Sequence, residues 1–420
     1  MLTIGEAIAG VMRDVTPLEP ETVPLAAAFG RALAEGVAAR VDSPPFANSA
    51  MDGYAVRAED LTEALTEAPV RLPVVGESSA GGTQRPVCVP GVAVRIFTGA
   101  PLPPGADAVV LQEDVTREGD LACFTEAAKP GQNVRQQGED ARAGDPLLRR
   151  GGRVSAGELG LLASQGIAEV AVVRRPRVAV LSSGDELRRI DDPERPGSII
   201  NSNAYMLEAM LRDVGAIPDV LPIVRDDLGA LTEALAAALQ NNDLVITSGG
   251  VSVGDHDLMR PAFAAAGVEM AFWKVAIKPG KPFAYGCRSD GKRVVGLPGN
   301  PVSAFVTFEV LVRPLLRALL GDATPHRGLL RATLASTVKQ TRGRDELLRG
   351  RLVHGASCAP GVAFVPVPRR GSGALPALAG VDVLALIPAG TGDVPAGTSV
   401  ECLPLFDAPG RGTSPFGVTG

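Results

Sequence analysis

Lys274, Lys278 and Lys281 fall within eight positions, in Phe-Trp-Lys-Val-Ala-Ile-Lys-Pro-Gly-Lys-Pro, although only six of the 41 basic residues of the chain are lysine. Arginine supplies positive charge elsewhere. A local switch to ammonium groups suits compact, movable point charges rather than flat bidentate forks. The segment reads as an anion site, and on the cluster alone solvated surface lysines explain it as well. Three further stretches fit an anion: Ser182-Ser183-Gly184-Asp185-Glu186, Thr247-Ser248-Gly249-Gly250-Val251-Ser252-Val253-Gly254-Asp255-His256-Asp257 and Leu297-Pro298-Gly299-Asn300-Pro301-Val302-Ser303. Each follows an apolar run. Glycines bring backbone N–H groups close to an anion, and the hydroxyls of Ser183, Ser248, Ser252 and Ser303 add donors. Asn300 can cap the helix that follows, with Pro301 in its first turn. Asp185, Glu186, Asp226, Asp255 and Asp257 gather on the same loops, and carboxylates around a phosphate site commonly hold Mg²⁺. Asp226 alone also fits an ordinary helix cap, and His256 reads as a surface residue rather than a ligand.

The first half carries a second set. Ser43-Pro44-Pro45-Phe46-Ala47-Asn48-Ser49-Ala50-Met51-Asp52-Gly53-Tyr54-Ala55-Val56 is an ordered loop entering a strand. Thr98 stands beside Gly99 after a strand, and Arg135 precedes Asp140 by five residues.

Elements of defined type must position these groups. Val178–Leu181, Val220–Val224, Leu244–Thr247, Met270–Val275, Phe283–Tyr285 and Arg293–Gly296 read as strands; Asn203–Val214, Leu228–Leu239, Leu258–Ala266 and Val302–Leu320 read as helices. Met206, Leu207, Met210 and Leu211 form one apolar helix face. The alternation predicts a doubly wound, mostly parallel α/β domain over 173–321. Ligands of such sheets bind beyond the carboxyl ends of the strands, where all three glycine-rich loops lie. On one strand, the even spacing of Lys274 and Lys278 puts both on one face.

Around this domain, residues 1–172 form an N-terminal region. Its helical and linker parts cover 1–40 and 141–172, with helices capped by Thr3, over Val23–Leu33 and over Ala156–Ser164. A β-rich domain is inserted over 41–140, where short β-like runs are closely punctuated by turns. Residues 322–328 form a linker, 325–406 a small C-terminal β-barrel, and 407–420 a flexible Gly-, Pro- and Ser-rich tail.

Composition narrows the function. A net charge of −6 and a pI of about 5.4 argue against a nucleic-acid partner. No apolar run reaches the roughly 18 residues of a membrane span, and the start has no signal-peptide pattern, so a cytoplasmic protein is expected. Five scattered cysteines without C-x-x-C spacing suit reduced thiols and not structural zinc. With three histidines in the chain, chemistry falls to carboxylates, lysines and backbone groups.

Pro-Pro-Phe-x-Asn-Ser-x-Met-Asp-Gly-Tyr-Ala resembles the N-terminal signature of the MoeA/gephyrin E-domain family, the molybdopterin molybdenumtransferases. Phe-Thr-Gly-Ala, Gly-Glu-Asp at 138–140, Ser-Gly-Asp-Glu-Leu at 183–187, Thr-Ser-Gly-Gly-Val-Ser-Val-Gly, Ile-Lys-Pro-Gly-Lys-Pro and Leu-Pro-Gly-Asn-Pro-Val-Ser resemble family motifs in the family's order. Ser183 stands where the family often has Thr, and Asp255 where it often has Glu; each keeps the functional group.

The resemblance implies insertion of molybdate into the dithiolene of adenylylated molybdopterin, with Mg²⁺-dependent cleavage of the phosphoanhydride and release of AMP. It implies an elongated homodimer and transient contact with the molybdopterin adenylyltransferase and with recipient molybdoenzymes. Catalytic roles go to Asp52, Thr98, Asp140, Glu186, Asp226 and Asp257, with Mg²⁺ on Glu186 and Asp257. Substrate binding goes to Arg135, Lys274, Lys278, Pro298 and Pro301, joined by the loop residues Ser183, Gly184, Ser248, Gly249, Gly250, Ser252, Gly299, Asn300 and Ser303. Arg349 or Arg351 is the basic residue from the C-terminal domain, and Lys281 is a bystander. A non-catalytic molybdopterin-binding scaffold and a tungstate-inserting enzyme are the alternatives.

Overall fold

The computed structural model describes residues 1–84, 86–250, 258–340, 343–354, 362–368, 371 and 373–405. The chain divides into two compact units, one of Met1–Glu35, Arg150–Ala156 and Glu169–Gly420, the other of Gly36–Arg149 and Gly157–Ala168.

In the first unit strand and helix alternate: β1 (Arg177–Ser182), α1 (Ser202–Val214), β2 (Ile217–Val220), α2 (Leu228–Asn241), β3 (Leu244–Ser248), α3 (Met259–Ala265), β4 (Val268–Lys274), β5 (Ile277–Lys278), β6 (Pro282–Arg288), β7 (Arg293–Leu297) and α4 (Pro301–Thr307). The helix begun by α4 widens over Phe308–Val312 and continues to Leu319. The main sheet runs β2-β1-β3-β7-β6-β4. Its first four strands are parallel, and β6 and β4 are antiparallel. Successive residues of a strand face opposite sides. Val178 and Val180 therefore pack with Leu207 and Leu211 of α1, and Ala179 and Leu181 with Leu235 and Leu239 of α2. Each leucine buried this way stabilises the domain by roughly 1.5–3 kcal/mol. The strand expected at Val220–Val224 lies earlier, at Ile217–Val220, and ends before Pro222, which has no N–H to donate.

The C-terminal sheet contains β8 (Leu330–Leu334), β9 (Asp345–His354), β10 (Val362–Pro366), β11 (Val383–Ile387) and β12 (Ser399–Pro404). It runs β5-β9-β10-β8-β12-β11, and β9 also pairs with β11, which closes a small barrel around Leu352, Phe364 and Val383.

Two local expectations fail. Pro20–Pro24, expected to lead into a helix over Val23–Leu33, is extended and pairs with Glu169–Val173; only one turn forms, at Leu25–Ala27. An edge strand tolerates Pro20 and Pro24, and Gly30, at φ +73°, interrupts the segment that the helix would need. The strand expected to carry both Lys274 and Lys278 is broken between them. Val275 N–H donates to Lys281 O at 3.1 Å, and Ala276 N–H to Leu2 O at 2.7 Å. Beyond this bend β5 leaves the main sheet and adds in parallel to the barrel, with Ile277 opposite Asp345 and Lys278 opposite Glu346. The even-spacing argument does not survive the change of sheet. The first helix, Ile4–Met12, has the expected Thr3 cap, a reciprocal box with Glu6.

The second unit holds a six-stranded sheet in the order Ala108–Leu111, Gly53–Val56, Ala93–Ile96, Val70–Ser78, Leu121–Phe124, Val115–Glu118. Tyr54 meets Phe124 edge-on at 6.2 Å. Gly53 must be glycine, because a Cβ there would lie 2.0 Å from Val110 O. Among the described residues no helix is long and apolar enough to cross a membrane.

Candidate active site

The parallel register brings Ser182, Ser248 and Leu297 side by side at the carboxyl ends of β1, β3 and β7. All three glycine-rich loops leave the sheet from this edge. They line a cavity of about 500 Å³ that takes in Ser183, Gly184, Glu186, Asp226, Ser248 and Gly249, and also Gly250, Pro298, Gly299, Asn300 and Pro301. Gly250 has φ +66°, and a Cβ there would lie 2.4 Å from Met259 Cγ. A glycine is needed to turn the loop under the cavity.

Asn203, in the first turn of α1, ties two of the loops together. Its Nδ2 donates to Ser248 Oγ and to Gly299 O, both at 2.8 Å. The residue is 8% exposed, and its Oδ1 lacks a partner among the described residues. Asn201 caps α1 through Ala204 N–H at 3.3 Å. The start of α1 thus lines the cavity with Asn201, Ser202 and Asn203. Sequence reasoning placed Asn203 only at a helix start; the repeated Asn in Asn-Ser-Asn was the available signal.

The Arg-Asp-Asp ambiguity resolves in favour of Asp227 as the cap of α2, accepting from Ala230 N–H at 2.8 Å. Asp226 faces the cavity instead. It sits at the solvent-exposed mouth, yet the protein around it raises its pKa above the usual carboxylate value. Desolvation contributes most, followed by the negative charges of Asp185 and Glu186. The Asp185 backbone and then the Ser183 hydroxyl pull the other way and offset the shift in part. A hard divalent cation takes oxygen donors of this kind, so the Glu186 carboxylate in the cavity lining fits as a ligand for Mg²⁺. Among the described residues no set of three or more such ligands converges. Asp257 and Ser252, together with Asp255 and His256, lie outside the described residues.

A second cavity of about 470 Å³ adjoins the first and shares Pro282, Pro298 and Asn300 with it. Its charged lining is Lys278, Lys281, Arg344, Arg349 and Glu346. Ser303 also lines it, and Lys274 does not. Lys281, expected to be a bystander, shares this wall with Lys278. The barrel supplies Arg349, whose pKa is lowered by burial against the opposing pull of Glu346. Arg351 is committed elsewhere, donating from Nε to Gly380 O at 2.9 Å. Asn300 stands at the cap position of α4, with Pro301 in the first turn, but its side chain makes no cap bond. A Cβ at Gly373 would lie 3.7 Å from Asn300 Oδ1, so the side chain turns toward the barrel loop rather than over its own helix.

Within the second unit the three motifs of the first half also converge. Asp52 Oδ1 accepts from Thr98 N–H and Thr98 Oγ1, both at 2.7 Å. These two bonds, the backbone one first, hold the Asp52 carboxyl below its usual pKa. Arg135, paired across strands with Asn48, forms an ion pair with Asp140. Asp140 N–H donates to Ser43 O at 2.8 Å.

Glycine-rich loops on a parallel edge, with an acid-lined cavity and a basic one beside it, define an α/β protein whose candidate site lies at the carboxyl ends of its strands. Residues 2–166 match the MoeA N-terminal region (domain I and II), 179–318 the probable molybdopterin binding domain, and 331–405 the MoeA C-terminal region (domain IV). The chain is 40% identical to molybdopterin molybdenumtransferase 2 of Mycobacterium tuberculosis, covering 94% of this chain and 96% of that one. It is 41% identical to the molybdopterin molybdenumtransferase of Haemophilus influenzae, over 83% and 86%. The molybdopterin biosynthesis moeA protein of Pyrococcus horikoshii superposes with a TM-score of 0.83 at 29% identity, covering 96% of this chain and all of that one. The chain belongs to the molybdopterin molybdenumtransferase (MoeA) family and is a transferase.

Proposed function

We propose that this transferase acts in molybdenum cofactor biosynthesis by inserting molybdate into adenylylated molybdopterin, with release of AMP. The observation that supports this most is the pairing of cavities. An acid-lined one of about 500 Å³ and a base-lined one of about 470 Å³ meet at Pro282, Pro298 and Asn300. One suits a phosphorylated pterin, the other a compact dianion.

In this reading the backbone N–H groups of Gly250 and Gly299 and the Ser183 and Ser248 hydroxyls hold the phosphates. Preorganised donors of this kind stabilise charge developing on phosphate oxygens. Asp226, with its raised pKa, takes the proton of the water that attacks phosphorus, and the phosphoanhydride bond breaks to release AMP. Glu186 and Asp257 would hold Mg²⁺, which when bound polarises the phosphates as a Lewis acid. Lys278, Lys281, Arg344 and Arg349 hold molybdate beside the dithiolene. Tungstate, of nearly the same size and charge, would fit equally. We assign the Asp52–Thr98 and Arg135–Asp140 cluster to the same reaction, and Lys274 to substrate approach. The working form is a homodimer that receives substrate from the molybdopterin adenylyltransferase and passes product to recipient molybdoenzymes.

The test is AMP release by purified protein supplied with adenylylated molybdopterin, Mg²⁺ and molybdate, compared with Asp226→Asn. The wild type should turn over, and the variant should lose about 100-fold or more of kcat while still binding the pterin, as loss of a general base does. Pterin binding without AMP release by the wild type would instead support the scaffold reading.

A further inference from the structure

Glu346 is an acid where an anion site has no evident need of one. Four basic side chains, Lys278, Lys281, Arg344 and Arg349, line the second cavity, and Glu346 is the one acid among its described lining residues. It is 5% exposed. A buried carboxylate is costly without a partner, and one beside an anion also repels it. Its position follows from the strand transfer seen at β5. Lys278 leaves the α/β sheet to lie opposite Glu346 on β9, and Lys278 Nζ stands 3.5 Å from Glu346 Oε1. Three residues further along β9, Arg349 and its neighbours complete the barrel's side of the cavity. The ion pair therefore fastens the segment that leaves the main sheet to the barrel, beside the anion site.

We propose that Glu346 is a positioning residue for the oxyanion: it fixes the Lys278 ammonium and tempers the positive charge of the cavity, so that a divalent oxyanion is held yet released. The proposal rests on the oxyanion role given to this cavity above. Without Glu346 the cavity would grip a dianion through four cations unopposed. Binding that tightens the ground state alone lowers KM and raises the barrier from the bound complex, so kcat falls with it. With Glu346 ionised, Lys278 divides its charge between the carboxylate and the ligand, and its Nζ keeps a defined place when the ligand leaves.

The experiment is equilibrium dialysis of molybdate against the full chain, with molybdenum counted by mass spectrometry, alongside steady-state AMP release. Glu346→Gln should bind molybdate about tenfold tighter, about 1.4 kcal/mol. Its KM for molybdate and its kcat should fall together. Glu346→Asp, which restores the charge, should return Kd to within about twofold of wild type. A folded Glu346→Gln with unchanged or weaker molybdate affinity would overturn the proposal. If Glu346→Gln does not fold, the pair Lys278→Met and Lys278→Met/Glu346→Gln decides. The double variant should melt higher than the single, because the single removes a cation from beside a buried carboxylate; an equal or lower melting temperature overturns the proposal. A wild type that binds neither molybdate nor tungstate overturns the oxyanion reading as well, whereas indifference confined to Glu346→Gln overturns this inference alone.

Discussion

Replacing Asn203 by alanine should cost about 2 kcal/mol and most of the activity. The side chain makes a buried hydrogen bond to Ser248 Oγ and a part-buried one to Gly299 O, both at 2.8 Å. Each contributes about 1 kcal/mol net, and a partner left dry costs a further 1–3 kcal/mol. Ser248 is 4% exposed, so its hydroxyl has little access to water, whereas the neighbouring cavity can hydrate Gly299 O. Among the described residues the Asn203 Oδ1 is already without a partner, and losing it recovers part of the cost, which holds the total near 2 kcal/mol rather than 4. Urea denaturation monitored by circular dichroism measures the stability term. AMP release measures whether the two loops still hold their relative positions. Asn203→Asp sharpens the test, because a carboxylate keeps the shape, cannot donate and repels Gly299 O; it should lose at least as much as alanine. A loss below about 0.5 kcal/mol in both variants, with turnover intact, would refute the idea that Asn203 ties the loops.

Three further outcomes follow from the same geometry. The raised pKa of Asp226 means that folding favours its protonated form, so its contribution is present below the ordinary carboxylate pKa and is lost as pH rises through the folded value. Asp226→Asn should therefore melt slightly higher than wild type at neutral pH without Mg²⁺, by less than about 1 kcal/mol given screening at the cavity mouth, and the difference should vanish near pH 3. Gly250→Ala should lose about 1–2 kcal/mol in thermal melts, since a φ of +66° is strained for any residue with a Cβ. Arg349→Met should raise the KM for molybdate at least tenfold, while Arg351→Met, whose arginine is spent on the Gly380 carbonyl, should leave KM unchanged and alter only barrel stability.

The glycine-rich loops were legible because each follows an apolar strand and carries residues that serve no strand or helix. Their convergence followed from the parallel alternation, which needs no knowledge of side-chain contacts. The Lys274–Lys278 relation was not legible. A period of two assumes one continuous strand, and the bend at Val275 and Ala276 is set by bonds to Lys281 and Leu2, which no local pattern encodes. Arg349 and Arg351 stand two apart on β9 and look equivalent in sequence. Only the carbonyl of Gly380, brought in from another strand connection, separates them. The two acids of Arg-Asp-Asp are likewise alike until the chain turns into α2 and Asp227 takes the cap. Asn203 escaped notice because a buried amide at a helix start has the same local signature as a surface one.

The measurement that bears most directly on the account counts AMP and pterin-bound molybdenum in a single turnover of the wild-type protein with adenylylated molybdopterin, Mg²⁺ and saturating molybdate. The two-cavity site predicts AMP and inserted molybdenum in a one-to-one ratio, with both lost in Asp226→Asn. Molybdenum insertion without AMP, or AMP release that Asp226→Asn leaves untouched, would contradict it.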